Sequence, residues 1–409
     1  MAVTGLGVKT PAGLTVDEFW ATLRAARPTA APITLYDASA HSVGFACEVP
    51  DTFDPAVYLG PKEPRRTDRV THLGVGAAAD AVADATGGTG DFGCDPARIG
   101  VVGGSGIGGI RTLEDQVLGY GEKGPRGVSP FLVPMMMPNG TSAHIAIHHG
   151  FTGPNLAVAT ACATGTNAIG EAARWVRDGS ADVVVAGGAD ACVAPVAMAA
   201  FARAGALSKH DDPAGASRPF DVDRDGFVMG EGAAFVVLEP LDRALARGAM
   251  VYAELAGYGT TCDAFHITAP LEDGAGAVAC IQLALADAGL EPKAFGHVNA
   301  HGTSTPLNDS AEAAAIAKVF GDHALPITSI KGVTGHLIGA AGAAELVATV
   351  LSVRDGVVPP VANHRNCDLP VDVVAGTERE VAPAPAVSTS FAFGGHNAAL
   401  VVVPGPAAG

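Results

Sequence analysis

Pro154-Asn155-Leu156-Ala157-Val158-Ala159-Thr160-Ala161-Cys162-Ala163-Thr164-Gly165-Thr166 runs a strand into a helix across a single cysteine. Residues 154–161 read as a strand. From Ala163 onward the apolar residues Ile169, Ala173 and Val176 recur at helical spacing. Cys162 is therefore expected at the turn between them, at the N-terminal end of a helix. Unpaired backbone N–H groups and the helix dipole favour a thiolate there. The small neighbours Ala161, Ala163 and Gly165 leave room for a sharp turn and for a group bonded to sulfur. A buried, inert thiol is the ordinary fate of a free cysteine. It suits the other six, at positions 47, 94, 192, 262, 280 and 367.

The same alternation recurs along the chain. Val-rich runs of strand length lie at 98–103, 182–187, 234–239, 297–300 and 399–403. Apolar residues fill both parities of these runs, as in strands buried on two faces. Between them lie Ala-rich helical stretches at 75–86, 166–177, 276–288 and 311–320. The order points to layered α/β architecture. Helices without a broad polar face are expected between sheets. With 48% hydrophobic residues in 409, the chain is long and apolar enough for one large core or two joined ones. No sequence repeat of 20–50 residues suggests a solenoid.

Composition also excludes function classes. A net charge of −17 repels polyanions, so nucleic acid is not an expected partner. No apolar run reaches the roughly 18 residues of a membrane span. The first residues lack the basic start of a signal peptide and enter a strand at once. An odd number of scattered cysteines without a C-x-x-C pair speaks against a metal or disulfide scaffold, and a reducing cytoplasm is the expected setting. The loop Gly103-Gly104-Ser105-Gly106-Ile107-Gly108-Gly109 follows a strand, but no acidic residue stands where a dinucleotide's ribose would need one.

Three later stretches complete the pattern: His301-Gly302-Thr303-Ser304-Thr305-Pro306, Lys331-Gly332-Val333-Thr334-Gly335-His336, and Phe391-Ala392-Phe393-Gly394-Gly395-His396-Asn397. His301 follows a short strand directly, at the strand end where α/β sites form. His336 lies between a loop and an Ala/Gly-rich helix.

In order and wording these motifs resemble the β-ketoacyl-[acyl-carrier-protein] synthases, the type II condensing enzymes of bacterial fatty-acid and polyketide synthesis. The resemblance runs from Val3 to Asn397. It implies a thiolase-like fold, two similar α/β halves stacked in five layers (αβαβα). Residues 1–245 would carry the nucleophile, and 246–409 the histidines and the glycine-rich turn. Family members usually carry a few more residues before the first strand, so either that strand is clipped or the start codon is misplaced. Thiolases share the fold but need a late second cysteine, and Cys367 is far from Gly394-Gly395.

The activity implied is decarboxylative Claisen condensation. Cys162 would carry the acyl group, while His301 and His336 donate N–H bonds that stabilise the malonyl-derived enolate. Lys331 and Glu345 would fix the imidazoles. Thr303 and Thr305 would bind the pantetheine arm. The backbone N–H groups of Cys162 and Phe393 would form the oxyanion hole, with Phe393 also a door to the acyl pocket. Ala392 departs from the glycine usual at its position and would stiffen that turn. Ile107, Met136 and Thr268 are expected around the acyl tunnel and gate. No metal and no cofactor is implied beyond the phosphopantetheine supplied by the carrier protein. Docking of that acidic partner would need a local basic patch on an acidic body. The candidates are Lys62, Arg65, Arg66 and Arg69, then Lys123 and Arg126. Arg203 and Lys209 form a third spot, with Gly205 where a docking arginine is often found. A homodimer is implied. The alternatives are a catalytic subunit paired with a non-catalytic chain-length partner, or a carrier-protein acyltransferase that does not elongate.

Overall fold

Successive strand residues point to opposite faces, and here both faces meet apolar neighbours. In the computed structural model, which describes residues 1–323 and 325–406, the strand Gly232–Glu239 sends Ala234, Val236 and Leu238 into one core. Its Ala233, Phe235 and Val237 enter another. His396–Pro404 repeats the split: Ala398, Leu400 and Val402 join the first core, and Ala399 and Val401 a third.

The sheet strands are β1 (Ala2–Lys9), β2 (Ile99–Gly104), β3 (Asn155–Val158), β4 (Val183–Asp190), β5 (Gly232–Glu239), β6 (Ala253–Cys262), β7 (His297–Asn299), β8 (Pro326–Thr328), β9 (Asp372–Val373), β10 (Ala386–Ala392) and β11 (His396–Pro404). Their spatial order is β9-β8-β7-β10-β11-β6-β1-β5-β4-β2-β3. From β1 outward, β5 and β4 pair antiparallel, then β2 and β3 parallel. From β6 outward, β11 and β10 pair antiparallel, then β7 and β8 parallel. The two halves thus repeat one topology. They are joined where β1 meets β6 through Ala2↔Glu254 and Val3↔Ala253. The two expected sheets are therefore continuous at that edge.

The main helices are α1 (Arg69–Thr86), α2 (Ile110–Lys123), α3 (Gly140–His149), α4 (Thr164–Arg177), α5 (Ala275–Ala288), α6 (Pro306–Phe320) and α7 (Ala341–Asp355). Leu73 and Ala77 of α1 and Ile145 of α3 cover the outer face of the first half. Ile281 of α5 and Ile316 of α6 do the same for the second. Ile169 of α4 and Leu346 and Val350 of α7 fill the space between the halves. Five layers result, with α4 and α7 in the middle. Residues 341–353 of α7 are buried without interruption, which explains the lack of a polar stripe.

Two helices, α1 and α6, begin five or six residues earlier than their apolar periodicity alone suggests, because side-chain caps start them. Asp68 accepts from the Val70 N–H at the head of α1, and Thr305 caps α6 just before Pro306. The strand before Cys162 is shorter than expected. It ends at Val158, and a 3₁₀ turn, Ala161–Ala163, intervenes before α4. A short helix, Leu241–Ala246, links β5 to β6. Among the described residues, no helix is long and apolar enough to cross a membrane.

The middle helices approach closely at Gly165. A Cβ there would lie 2.7 Å from the Ala343 nitrogen and 3.0 Å from the Gly339 carbonyl oxygen. Gly165→Ala is therefore expected to destabilise the fold by about 1–3 kcal/mol, measured by urea denaturation against the wild type.

Candidate active site

A cavity of about 280 Å³ opens where the two halves meet. Its walls include Cys162, His301, Thr303, Thr305, Thr268, His336 and Phe393. The residues singled out from motifs far apart in sequence thus share one space. One sulfur and one nitrogen from each ring, taken from Cys162, His301 and His336, all lie within 4.8 Å of one another.

Cys162 sits in the 3₁₀ turn directly after Ala161, whose φ of +48° is a left-handed conformation rare for a residue with a Cβ. The sequence reading placed the sulfur at a helix end that favours the thiolate. In the structure burial dominates and pushes the thiol up, to about 12, against the pull of the Lys331 ammonium and the Phe393 N–H. Burial therefore favours the neutral thiol over the anion, although Cys162 is half-buried and lines the cavity.

The protonation of both imidazoles follows from their neighbours. Nε2 of His336 lies 3.1 Å from Cys162 Sγ, and its Nδ1 accepts from the Ile338 N–H at 3.1 Å. Nδ1 of His301 faces Lys331 Nζ at 3.2 Å. Burial, reinforced by the Lys331 charge, holds both rings well below the usual histidine range, so both are neutral. A neutral ring whose Nδ1 accepts carries its proton on Nε2. Both Nε2–H groups are therefore donors. A metal-ligating histidine needs the opposite arrangement, a bare nitrogen toward the metal and an N–H toward an outer acceptor. In this trio both Nε2–H groups point toward the cavity as donors.

Lys331 is itself pinned. It is 1% exposed, pairs with the fully buried Glu345 of α7, and donates to the His301 carbonyl oxygen at 2.5 Å. Burial raises the Glu345 carboxyl. Phe227 and Phe391 pack edge-on against His336 and His301, with centroids 5.1 and 6.3 Å away.

Three buried carboxylates that the sequence reading passed over hold the backbone around these groups. Glu312 accepts from the N–H groups of His301 and Gly302, each at 2.8 Å, and from the Thr389 hydroxyl. Asp309 accepts from the N–H groups of Thr303, Ser304 and Phe220. Asp190, at the end of β4, accepts from Ser105, Gly106 and Gly339. Asp309 and Glu312 stand three residues apart on the Ala-rich α6, directly after the His301 motif, and that spacing was a legible signal. Ser304 at φ +67° and Ile338 at φ +51° are strained, each by about 1–3 kcal/mol.

The Thr303 and Thr305 hydroxyls face each other at 2.8 Å in the cavity wall. Thr305 also accepts from the Asn308 N–H as the cap of α6, so the binding and capping readings fall on one residue. Ala392 lies in extended backbone paired with His396, while Gly394 and Gly395, at φ +86° and +73°, make the turn. Ala392 lines the cavity, and its carbonyl oxygen accepts from the Gly395 N–H at 3.1 Å to close that turn. Ile107 and Met136 do not line this cavity. Ile107 packs in the cluster that contains Ile338, and Met136 lies exposed on the short helix Leu132–Met136.

Family models for the β-ketoacyl synthase N-terminal and C-terminal domains match residues 1–244 and 252–365. The chain belongs to the β-ketoacyl synthase family. The 3-oxoacyl-[acyl-carrier-protein] synthase 2 of Synechocystis sp. is 48% identical over 98% of this chain and 97% of that protein. Among solved structures, a chain of the ishigamide ketosynthase/chain length factor is similar at TM-score 0.92 and 38% identity, covering 99% of both chains. A type II polyketide ketosynthase in complex with its acyl-carrier protein (AntDE:AntF) is similar at TM-score 0.90 and 30% identity, again over 99% of both.

On the surface of the synthase, Lys62, Arg65, Arg66, Lys123 and Arg126 are exposed. Arg66 is partly engaged, 3.6 Å from Glu63 and over the Phe131 ring. Arg69 is not available for docking. Its guanidinium forms a two-pronged pair with the buried Glu231, at 2.5 and 2.7 Å. An arginine committed to an interior carboxylate costs too much to withdraw. Arg203 and Lys209, by contrast, are exposed and flank Ala204–Ala206 on the cavity wall.

Burial raises the Glu312 carboxyl from 4.5 to about 7, with Asp309 adding repulsion. The folded synthase then binds more protons than the unfolded chain, so this stabilisation is present at low pH and is lost as pH rises from about 4.5 to about 7. Glu312→Gln is expected to remove that decline. The melting temperature of the variant relative to wild type should rise between roughly pH 5 and 8, read by calorimetry at both values.

Proposed function

We infer that this synthase catalyses decarboxylative Claisen condensation, joining an acyl group held on Cys162 to a malonyl unit carried by an acyl carrier protein. The observation that carries this reading is the convergence of one thiol and two imidazole Nε2–H donors, with His336 Nε2 at 3.1 Å from the sulfur. The reading is supported by the relatives named above.

In the first half-reaction, Cys162 attacks the acyl thioester of the carrier, and its proton leaves with the carrier's pantetheine thiol. The Phe393 N–H that faces the sulfur, with the Cys162 N–H, suits the oxyanion of the tetrahedral intermediate. In the second, the malonyl group loses carbon dioxide, and negative charge grows on its thioester oxygen. The His301 and His336 Nε2–H groups stabilise that oxygen as an enolate. The enolate carbon attacks the acyl-Cys162 carbonyl, forming the new C–C bond and releasing the Cys162 thiolate. Thr303 and Thr305 offer hydroxyls to the arm of the carrier at the cavity wall. The chain's own residues supply every donor in this scheme, and phosphopantetheine arrives with the partner.

The acidic carrier approaches the mouth, where Arg203 and Lys209 are the nearest exposed cations in sequence to the lining, with Lys62, Arg65 and Arg66 as a second patch. A second subunit is inferred on the sheet edge. β3 is the terminal strand, and Leu156 on it is 41% exposed, an edge that a partner's strand would extend. A copy of the same chain is the simplest occupant.

Cys162→Ala is expected to abolish acyl loading and condensation together, and unchanged turnover would refute the assignment. With Cys162 intact, acyl loading followed by malonyl carrier protein should give a product extended by two carbons, read by mass spectrometry. Loading without extension would favour a transferase. His301→Ala should lower condensation by about 100- to 1000-fold, the range for loss of one oxyanion donor, while leaving acyl loading of Cys162 largely intact. Arg203→Glu should raise KM for the carrier substrate several-fold with kcat little changed.

A further inference from the structure

Asp190 is fully buried at the C-terminal end of β4 and carries no role in the chemistry above. Its two oxygens collect donors from both halves of the chain. Oδ1 accepts from the Ser105 hydroxyl at 2.6 Å, and Ser105 Oγ in turn accepts from the Gly108 N–H at 2.7 Å. Oδ2 accepts from the Gly106 N–H at 2.9 Å and from the Gly339 N–H at 2.6 Å. Both glycines are crowded, by the carboxylate and by each other's loops: a Cβ at Gly339 would lie 2.5 Å from Oδ2 and 2.6 Å from the Gly106 nitrogen, and one at Gly106 3.0 Å from Ile338 Cγ2 and 3.1 Å from Oδ2.

The Gly339 N–H belongs to the turn that contains Ile338. A β-branched residue at φ +51° does not stay there unaided. The strained backbone aims the Ile338 N–H at His336 Nδ1, 3.1 Å away, and that contact leaves the ring proton on Nε2, facing Cys162 Sγ. The loop tied to the other side of the carboxylate passes beneath the nucleophile: a Cβ at Gly106 would lie 3.3 Å from the Ala161 carbonyl oxygen.

We propose that Asp190 is a positioning residue for the condensation: by accepting from Gly106, Gly339 and Ser105 it holds the Ile338 turn, and through it keeps the Nε2–H of His336 directed at the reacting atoms. It touches neither the sulfur nor any substrate. What it supplies is the geometry of a hydrogen-bond acceptor. The proposal rests on the condensing function inferred above.

The test uses the full chain carrying Asp190→Leu or Asp190→Asn. Active sites are counted by alkylation of Cys162 with iodoacetamide, and kcat and KM are measured per alkylatable site with malonyl carrier protein. Leucine has similar bulk and accepts nothing. Asparagine keeps one oxygen for the two N–H groups and turns its NH₂ toward Ser105 Oγ, which has a free lone pair. Asp190→Leu is expected to lower kcat on the order of 100-fold, the effect of misplacing a catalytic group by about 1 Å, with KM little changed. Asp190→Asn is expected to stay within about threefold of wild type, since it restores the acceptor. Full kcat in Asp190→Leu, or a loss confined to KM, overturns the proposal. So does an Asp190→Asn as damaged as Asp190→Leu, which would assign the role to charge. Should the leucine variant not fold, the ¹⁵N shifts of the His336 ring in the wild-type chain decide. An Nε2–H tautomer is expected, and an Nδ1–H tautomer overturns the proposal. If wild type forms no β-ketoacyl product, the condensing function fails, while the tautomer still decides the placement.

Discussion

The site depends on what occupies the inner nitrogen of each imidazole. Lys331 Nζ faces Nδ1 of His301, and the Ile338 N–H faces Nδ1 of His336. With those positions taken, the only ring protons available are on the cavity side, next to the Cys162 sulfur. A site with the reverse tautomers would accept where it must donate, and a thioester oxygen gaining negative charge would find no partner. The donors that face this cavity are therefore set by groups on the far side of each ring.

Burial gives that arrangement its strength. Lys331 and Glu345 are a cation and an anion held within the middle layer of a five-layer fold, where α7 is buried on all sides from Ala341 to Val353. Charges and donors act more strongly where water is excluded, and the pair is tolerable there because each partner neutralises the other. Burial also favours the neutral thiol of Cys162 over its anion. The sheet repeat supplies the location: each half ends its parallel strands toward the seam, and neither half alone encloses the cavity.

Strain is the counterpart. Ala161, Ser304 and Ile338 hold left-handed backbone at three points around the cavity. Asp309 accepts from the Ser304 N–H, Asp190 from the Gly339 N–H next to Ile338, and Glu312 from the His301 and Gly302 N–H groups just before Ser304. Those carboxylates explain how an apolar chain affords a polar site. Their own elevated proton affinity follows from the same burial.

Much was legible before the fold was known. Val-rich runs filled on both parities announced strands buried on two faces, and the Ala-rich stretches announced helices between and around them. Cys162, His301, His336, Lys331 and Glu345 stood out by motif, and all five meet. Asp190 did not stand out, because a single acid at the end of a strand has no periodicity and its partners lie 84 and 149 positions away. Arg69 looked like its exposed neighbours Arg65 and Arg66, since nothing local distinguishes an arginine whose partner, Glu231, is 162 residues distant. The sequence by itself determined the layered α/β architecture and singled out Cys162, His301 and His336 as the candidate site, because these are written in local spacing and residue type. Only the tertiary structure decided which ring nitrogens carry protons, whether the sulfur rests as thiol or anion, and which arginines face water, because each depends on groups that folding brings within hydrogen-bonding distance from remote parts of the chain.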